Sequence, residues 1–219
     1  NIGLSGCKYR PNSPVAIMLR PAAFVALFCV SNASYVEIDP YNEAGRVFNG
    51  IGALSGGGAT SKLLFSYPSE ELDEILDTLF KPKFGASLQI LKVEIGGDTC
   101  STEGSESSHM HTREDLSCTR GYEWRLMKEA KERNPDIVLY GLPWGFPNWL
   151  GSPSNQNVLT NNGGKDAANY IVNWIDCANN THGLHIDVIG VWNEKDPEFD
   201  EGGVAYLKLL RKVLDEKGF

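Results

Sequence analysis

The sequence predicts an α/β fold with a parallel sheet, and three observations support this. Short β-rich segments alternate with longer segments whose apolar residues recur at helical spacing. The strand-like segments end in side chains that can do chemistry, namely Ser55, Glu94, Trp144, and Asn193 with Glu194. About four such β/α units are present, whereas a closed barrel has eight. Doubly wound sheets share this order of elements, but barrel enzymes build their sites at strand ends. We therefore predict the N-terminal part of a TIM (β/α)8 barrel.

The predicted elements follow from composition and periodicity. Apolar, β-rich runs predict strands at residues 47–54, 88–95, 137–142 and 186–192. Helices are predicted between and after them, at residues 70–80, 123–132, 167–178 and 205–214. In the first helix, Leu72, Ile75, Leu76 and Leu79 lie on one face. Because the chain ends near the fourth helix, we expect a truncated barrel.

The N-terminal segment has the pattern of a secretory signal. Residues 22–30 are apolar and uncharged, Arg20 precedes them, and small residues follow at 31–34. The run is too short to span a bilayer as a helix, which needs roughly 20 residues. A buried helix or strand is the alternative reading. We expect residues 1–17 to be non-native upstream sequence before an initiating Met18, residues 18–33 to be the signal peptide, and residues 34–219 to be the partial barrel.

Charge and cysteine content bound the function further. A net charge of −8 and a pI near 5.0 argue against a nucleic-acid partner, because phosphate binding needs clustered Lys and Arg. Two of the five cysteines would leave with the leader. Cys100 and Cys118 flank one polar loop, so a disulfide between them and two free thiols are both open. Asn179 begins an Asn-Asn-Thr glycosylation sequon, usable only in a secreted chain.

Residues 190–194, Gly-Val-Trp-Asn-Glu, carry the sharpest chemical signal. A strand ending in an amide and a carboxylate suits glycoside hydrolysis, which needs a carboxylic acid to protonate the leaving oxygen and a second carboxylate to attack or activate water. Glu94 could be that second carboxylate or form a salt bridge at the barrel rim. His109 and His111 lack a third ligand, so we expect neither a metal nor a cofactor.

Several motifs, in order, resemble the galactocerebrosidases, family 59 of the glycoside hydrolases. They are Phe-Asn-Gly-Ile-Gly-Ala-Leu-Ser-Gly-Gly-Gly-Ala-Thr-Ser at 48–61, Leu-Lys-Val-Glu-Ile-Gly-Gly-Asp at 91–98, Ser-His-Met-His at 108–111, Arg-Gly-Tyr-Glu-Trp at 120–124, Leu-Met-Lys-Glu-Ala-Lys at 126–131, Gly-Leu-Pro-Trp-Gly-Phe-Pro at 141–147 and Trp-Asn-Glu at 192–194. The resemblance runs from about Arg46 to Phe219. The segments 152–164 and 195–203 depart from the family pattern.

The resemblance implies a lysosomal enzyme that hydrolyses galactosylceramide with retention, aided by a saposin-type lipid-presenting protein. It makes Glu194 the acid/base and Thr102, Trp144 and Asn193 sugar-binding residues. The family nucleophile, a Glu near the seventh strand, is expected beyond Phe219. The alternatives are an inactive or sugar-binding fragment and a related barrel glycosidase, such as a glucosylceramidase-like hydrolase.

Overall fold

The structure is a computed structural model that describes residues 46–56, 62–98, 106–150, 158–159, 161–194 and 201–219. All but Arg46 of these belong to one compact unit, Val47–Phe219. The predicted leader lies outside the described residues, as do Cys100 and Thr102. The division of the chain into 1–17, 18–33 and 34–219 stays a prediction.

Four parallel strands form one sheet in the order β1-β2-β3-β4. The strands are β1 (Gly52–Ser55), β2 (Ile90–Ile95), β3 (Val138–Pro143) and β4 (Val188–Ile189). Ser55 of β1 lies opposite Val93 of β2, and Gly141 of β3 lies opposite Ile189 of β4. β4 is shorter than the predicted strand at 186–192, because only Val188 and Ile189 pair with β3. The predicted parallel α/β sheet is confirmed.

Three helices connect successive strands in the described part of the chain, and a fourth follows β4. They are α1 (Ser69–Phe80), α2 (Glu123–Arg133), α3 (Asn161–Asp176) and α4 (Glu201–Lys217), with 3₁₀ turns at Leu64–Ser66 and Asn148–Leu150. A π-helical turn, Cys177–Thr181, extends α3. Pro82 lies two residues beyond α1, consistent with its role as a stop signal.

The strand order separates the two folds that the sequence left open. In a doubly wound sheet the order reverses at a switch point, whereas here each strand lies beside its predecessor. Right-handed crossovers in one direction place all the helices on one face of the sheet. This is the arrangement of consecutive β/α units in a barrel.

Burial along the strands identifies the face that the helices cover. In β2, Leu91, Val93 and Ile95 are at most 2% exposed, whereas Ile90 and Lys92 are half-buried. β3 shows the same alternation. At the close approach of sheet and α3, the Trp174 ring lies so near Gly141 that an added Cβ would fall 2.9 Å from it. The main core therefore lies between one sheet face and the helices.

The structure contains a disulfide that differs from both states left open by the sequence. Cys118 is bonded to Cys177, with their Cα atoms 5.0 Å apart, so the possible Cys100–Cys118 bridge is wrong, and so is the alternative of free thiols for Cys118. The reason is packing: the rings of Trp174, Trp124 and His182 stack in sequence, with centroids about 5 Å apart. This stack brings the end of α3 against the segment before α2, 59 residues away in sequence.

Candidate active site

The carboxyl ends of β3 and β4 lie together at one edge of the sheet, and three contacts join the segments that follow them. The backbone N–H of Asn193 donates to the Pro143 carbonyl at 2.8 Å. The indole Nε1–H of Trp192 donates to the Trp144 carbonyl at 3.0 Å. The Trp192 ring also packs edge-on against Phe146, with centroids 5.1 Å apart.

These contacts bring together three of the four residues predicted to form the site, Trp144, Asn193 and Glu194. Glu194 follows the last contact directly and is exposed, with a left-handed φ of 49°. A non-glycine residue in this region costs energy and is typical of functional turns. The fourth residue, Thr102, lies outside the described residues.

Lys92 approaches Trp144 from the neighbouring strand. Its Nζ lies 5.7 Å from the Trp144 ring centroid and 5.4 Å from the Tyr140 ring centroid. Such cation–π contacts contribute about 0.5–1 kcal/mol when exposed and more when desolvated. Trp144 is therefore held at its backbone by Trp192 and approached at its ring by Lys92.

A cluster of three buried glutamates lies beside β1 and β2. Glu94, near the end of β2, is fully buried, and Glu106 and Glu123 are 3% and 2% exposed. The Ser55 hydroxyl donates to Glu123 Oε1 at 2.8 Å. Glu106 Oε1 accepts the backbone N–H of Tyr122 at 2.8 Å and of Glu123 at 3.3 Å, so its carboxyl caps the start of α2.

Burial dominates the electrostatics of this carboxyl cluster. Desolvation raises the pKa of Glu106 to about 8, against the lowering effect of its backbone hydrogen bonds. Desolvation likewise raises the pKa of Glu123 well above its ordinary value, and the charges of Glu106 and Glu94 add to the rise. Glu106 Oε2 and Glu123 Oε2 accept no hydrogen bond from the described residues. Burial therefore favours the neutral form of Glu106 at acidic and neutral pH and acts in the same direction on Glu123.

The loop after β2 is anchored to α3 by a buried polar network. Ser108 Oγ lies 2.6 Å from the Tyr170 hydroxyl, which donates to the Gly96 carbonyl. Asp98, with φ 56°, accepts the Ser108 N–H at 2.9 Å and contacts His111 Nδ1 at 2.6 Å.

His109 belongs to the same network. Its Nε2–H donates to the Tyr170 carbonyl at 3.0 Å, and burial lowers its pKa to about 4. The two histidines thus have separate hydrogen-bond partners. Among the described ranges, no three His, Cys, Asp or Glu residues are grouped to hold a metal ion.

Sequence reasoning missed Glu106, Glu123 and Tyr170. Glutamate is common in the first turn of a helix, where it interacts favourably with the helix dipole, so the position of Glu123 did not predict its burial. Asn179, the predicted glycosylation site, is exposed in the turn between α3 and β4. In a parallel β/α arrangement this turn lies at the edge where strands begin, opposite the candidate site.

The edge formed by these strand ends is the type of site found in β/α-barrel enzymes. The structure resembles SrfJ from Salmonella typhimurium, with a TM-score of 0.63 at 20% identity over 79% of this chain and 42% of that one. It also resembles the catalytic domain of GH30 xylanase C from Talaromyces cellulolyticus, with a TM-score of 0.58 at 17% identity over 80% and 45% of the two chains. At these identities the similarity supports the fold alone.

Sequence comparison gives the family. Residues 48–219 match glycosyl hydrolase family 59, and the chain belongs to this family. It is 55% identical to galactocerebrosidase from Mus musculus over 193 residues, which covers 86% of this chain and 26% of that protein. It is 52% identical to galactocerebrosidase from Homo sapiens over 204 residues, covering 90% and 28%. The chain thus spans about a quarter of the length of these relatives. No helix in the described part of the chain is long and apolar enough to cross a membrane.

Proposed function

We propose that this chain forms part of a retaining glycoside hydrolase that removes galactose from galactosylceramide. The observation that supports the proposal is that Asn193, the residue before Glu194, is hydrogen-bonded to Pro143, and that Trp192 is hydrogen-bonded to Trp144, where β3 and β4 end. Membership of family 59 and 52–55% identity to proteins named galactocerebrosidase support the substrate.

In the proposed mechanism, Glu194 acts twice. Its carboxylic acid first protonates the glycosidic oxygen, so that ceramide leaves as a neutral alcohol. Its carboxylate then takes a proton from the water that releases galactose from the enzyme. The side chain of Asn193 donates a hydrogen bond to the sugar 2-hydroxyl, while Trp144 and Thr102 bind the galactose ring.

The attacking carboxylate is assigned to none of the described residues. Glu94 is a poor candidate, because it is fully buried and its charge acts on Glu106 and Glu123. Its burial fits a structural role in the carboxyl cluster. The expectation of a nucleophile beyond Phe219, taken from the family resemblance, stays a prediction.

The cellular setting belongs to the proposal as well. We propose entry into the secretory pathway with cleavage after residues 18–33, a glycan on Asn179, delivery to the lysosome, and a saposin-type protein that presents the lipid. N-terminal sequencing and glycopeptide mass spectrometry of secreted material test the first two. An intact 22–30 segment or an unmodified Asn179 would contradict them.

The test of the catalytic role is Glu194→Gln, made in the complete gene product that contains this chain. Glutamine keeps the shape but has no acidic proton, so we expect kcat on galactosylceramide to fall roughly 10²–10⁴-fold. Azide should restore turnover of an activated aryl β-galactoside, because it replaces water without needing a base. Glu132→Gln, the same change on an exposed glutamate of α2, is the matched control. Full activity of Glu194→Gln would exclude the assigned role.

A further inference from the structure

Trp192 precedes the proposed acid/base pair, and its ring contacts the loop after β3 in two ways. The indole N–H donates to the Trp144 carbonyl, and the ring packs at 88° against Phe146. Phe146 is itself fully buried and contacts the Tyr170 ring of α3 at 6.0 Å between centroids. Trp192 is therefore anchored through Phe146 to the helix layer.

The paired residues of β4 end before Trp192. The ladder pairing ends at Ile189, opposite Gly141, four residues before Asn193. Beyond the ladder, the Gly190 N–H donates to the Gly141 carbonyl at 2.9 Å and the Asn193 N–H donates to the Pro143 carbonyl at 2.8 Å. The backbone then enters the left-handed region at Glu194. The side-chain anchor at Trp192 thus adds to two backbone hydrogen bonds that flank it, just before the chain turns at Glu194.

We infer that Trp192 is a positioning residue that fixes the proposed acid/base Glu194 relative to the proposed sugar-binding Trp144; this inference rests on the function proposed above. One indole joins the segment carrying the acid to the backbone of the residue that binds the sugar. A shift of either segment therefore changes the distance from the Glu194 carboxyl to the glycosidic oxygen. Catalytic groups must be held within about 0.5 Å of the productive geometry, and a misplacement of about 1 Å can cost 10²-fold in rate.

The test variant is Trp192→Phe, which keeps an aromatic ring against Phe146 and removes the hydrogen bond to Trp144. The matched control is Trp149→Phe. Trp149 also donates its indole N–H to a backbone carbonyl at 3.0 Å, but the acceptor is Met110, in the loop after β2, and not Trp144. Both variants and Glu194→Gln are made in the complete gene product.

The readout is kcat/KM for two β-galactosides that differ in leaving group. An alkyl galactoside needs the proton from the acid, whereas a dinitrophenyl galactoside leaves with little help. We expect Trp192→Phe to lose about 10- to 100-fold on the alkyl substrate and less than about 3-fold on the dinitrophenyl substrate. Trp149→Phe should lower both values equally or not at all. Loss of stability alone would reduce the two equally, because it lowers the amount of active enzyme.

The outcomes separate the two proposals. If Glu194→Gln loses no more kcat/KM on the alkyl substrate than on the dinitrophenyl substrate, the proposed function fails. If Glu194→Gln shows that pattern and Trp192→Phe does not, only the positioning role is overturned. Should Trp192→Phe be too unstable to assay, Phe146→Leu loosens the packing of the ring and leaves the indole donor in place. It should give the same substrate pattern with a loss of about 2- to 5-fold, and an equal loss on both substrates would overturn the inference.

Discussion

Replacing Glu106 by glutamine should make the free energy of unfolding less sensitive to pH. The carboxyl of Glu106 is buried, and its Oε1 caps α2 through the N–H groups of Tyr122 and Glu123. Glutamine offers the same carbonyl oxygen to both donors. It can never take up the charge that the buried site and the neighbouring Glu94 disfavour.

The size of the effect follows from the pKa of Glu106, which burial raises from 4.5 to about 8. A raised folded-state pKa gives stability that is complete below the unfolded pKa and is lost as pH rises toward the folded one. Between these values the folded protein holds one more proton, so stability falls by about 1.4 kcal/mol per pH unit. From pH 5 to pH 7 this one group costs about 2.5 kcal/mol, and the loss levels off above pH 8 at roughly 5 kcal/mol.

The assay is urea denaturation at pH 5, 6, 7 and 8, with the free energy of unfolding compared between parent and variant. We expect Glu106→Gln to match the parent within about 1 kcal/mol at pH 5 and to exceed it by about 2–3 kcal/mol at pH 7. The exposed Glu132→Gln should keep the pH dependence of the parent. Equal pH dependence in Glu106→Gln and the parent would show that Glu106 is not held neutral, and would refute the reasoning.

Two further predictions concern the same part of the fold. Gly121→Ala should lower the free energy of unfolding by about 3–4 kcal/mol, because the φ of Gly121 is 101° and the added Cβ would lie 1.8 Å from Glu106 Oε1. Gly183→Ala is the control: Gly183 has a φ of 66° and no atom within 4 Å of an added Cβ, so the loss should be only about 1–2 kcal/mol. Equal losses of the two variants in denaturant titrations would contradict the steric explanation. Replacing Cys118 and Cys177 together by serine opens a loop that spans 59 residues in sequence. The free energy of unfolding should fall by up to about 4 kcal/mol, because the unfolded chain gains loop-closure entropy. Reduction of the parent should produce the same shift in the thermal midpoint, and an unchanged midpoint would show that the bridge adds no stability.

The local pattern of the sequence determined which elements form, but not all of their ends: β1 begins five residues later than predicted, and α3 begins six residues earlier. α1 and α2 lie within one residue of their predicted bounds. The reason is that apolar periodicity and helix start and stop signals depend on residues close together in the sequence. β4 was predicted at residues 186–192, yet only Val188 and Ile189 pair with β3. Strand pairing depends on a partner, and the β-rich composition of one segment does not report where that partner ends.

The common location of the strand ends also followed from the sequence, because the carboxyl ends of parallel strands lie at one edge of a sheet. That rule predicts that Trp144, Asn193 and Glu194 lie at the same edge of the sheet. It could not show that the Trp192 indole joins two of these segments, because a hydrogen bond across 48 residues depends on the side-chain packing of both.

Only the tertiary structure decided the cysteine pairing and the carboxyl cluster. Sequence proximity favoured Cys100 for Cys118, whereas the stacked rings of Trp174, Trp124 and His182 bring Cys177 to it. Glu106 and Glu123 belong to residue types that are almost always exposed, so burial was the less expected state for each. Their burial arises from the meeting of the β1 end, the loop after β2 and the start of α2. The apolar periodicity of a helix or strand predicts which of its faces is buried. The pKa shifts and the disulfide depend instead on distances between elements that are remote in sequence.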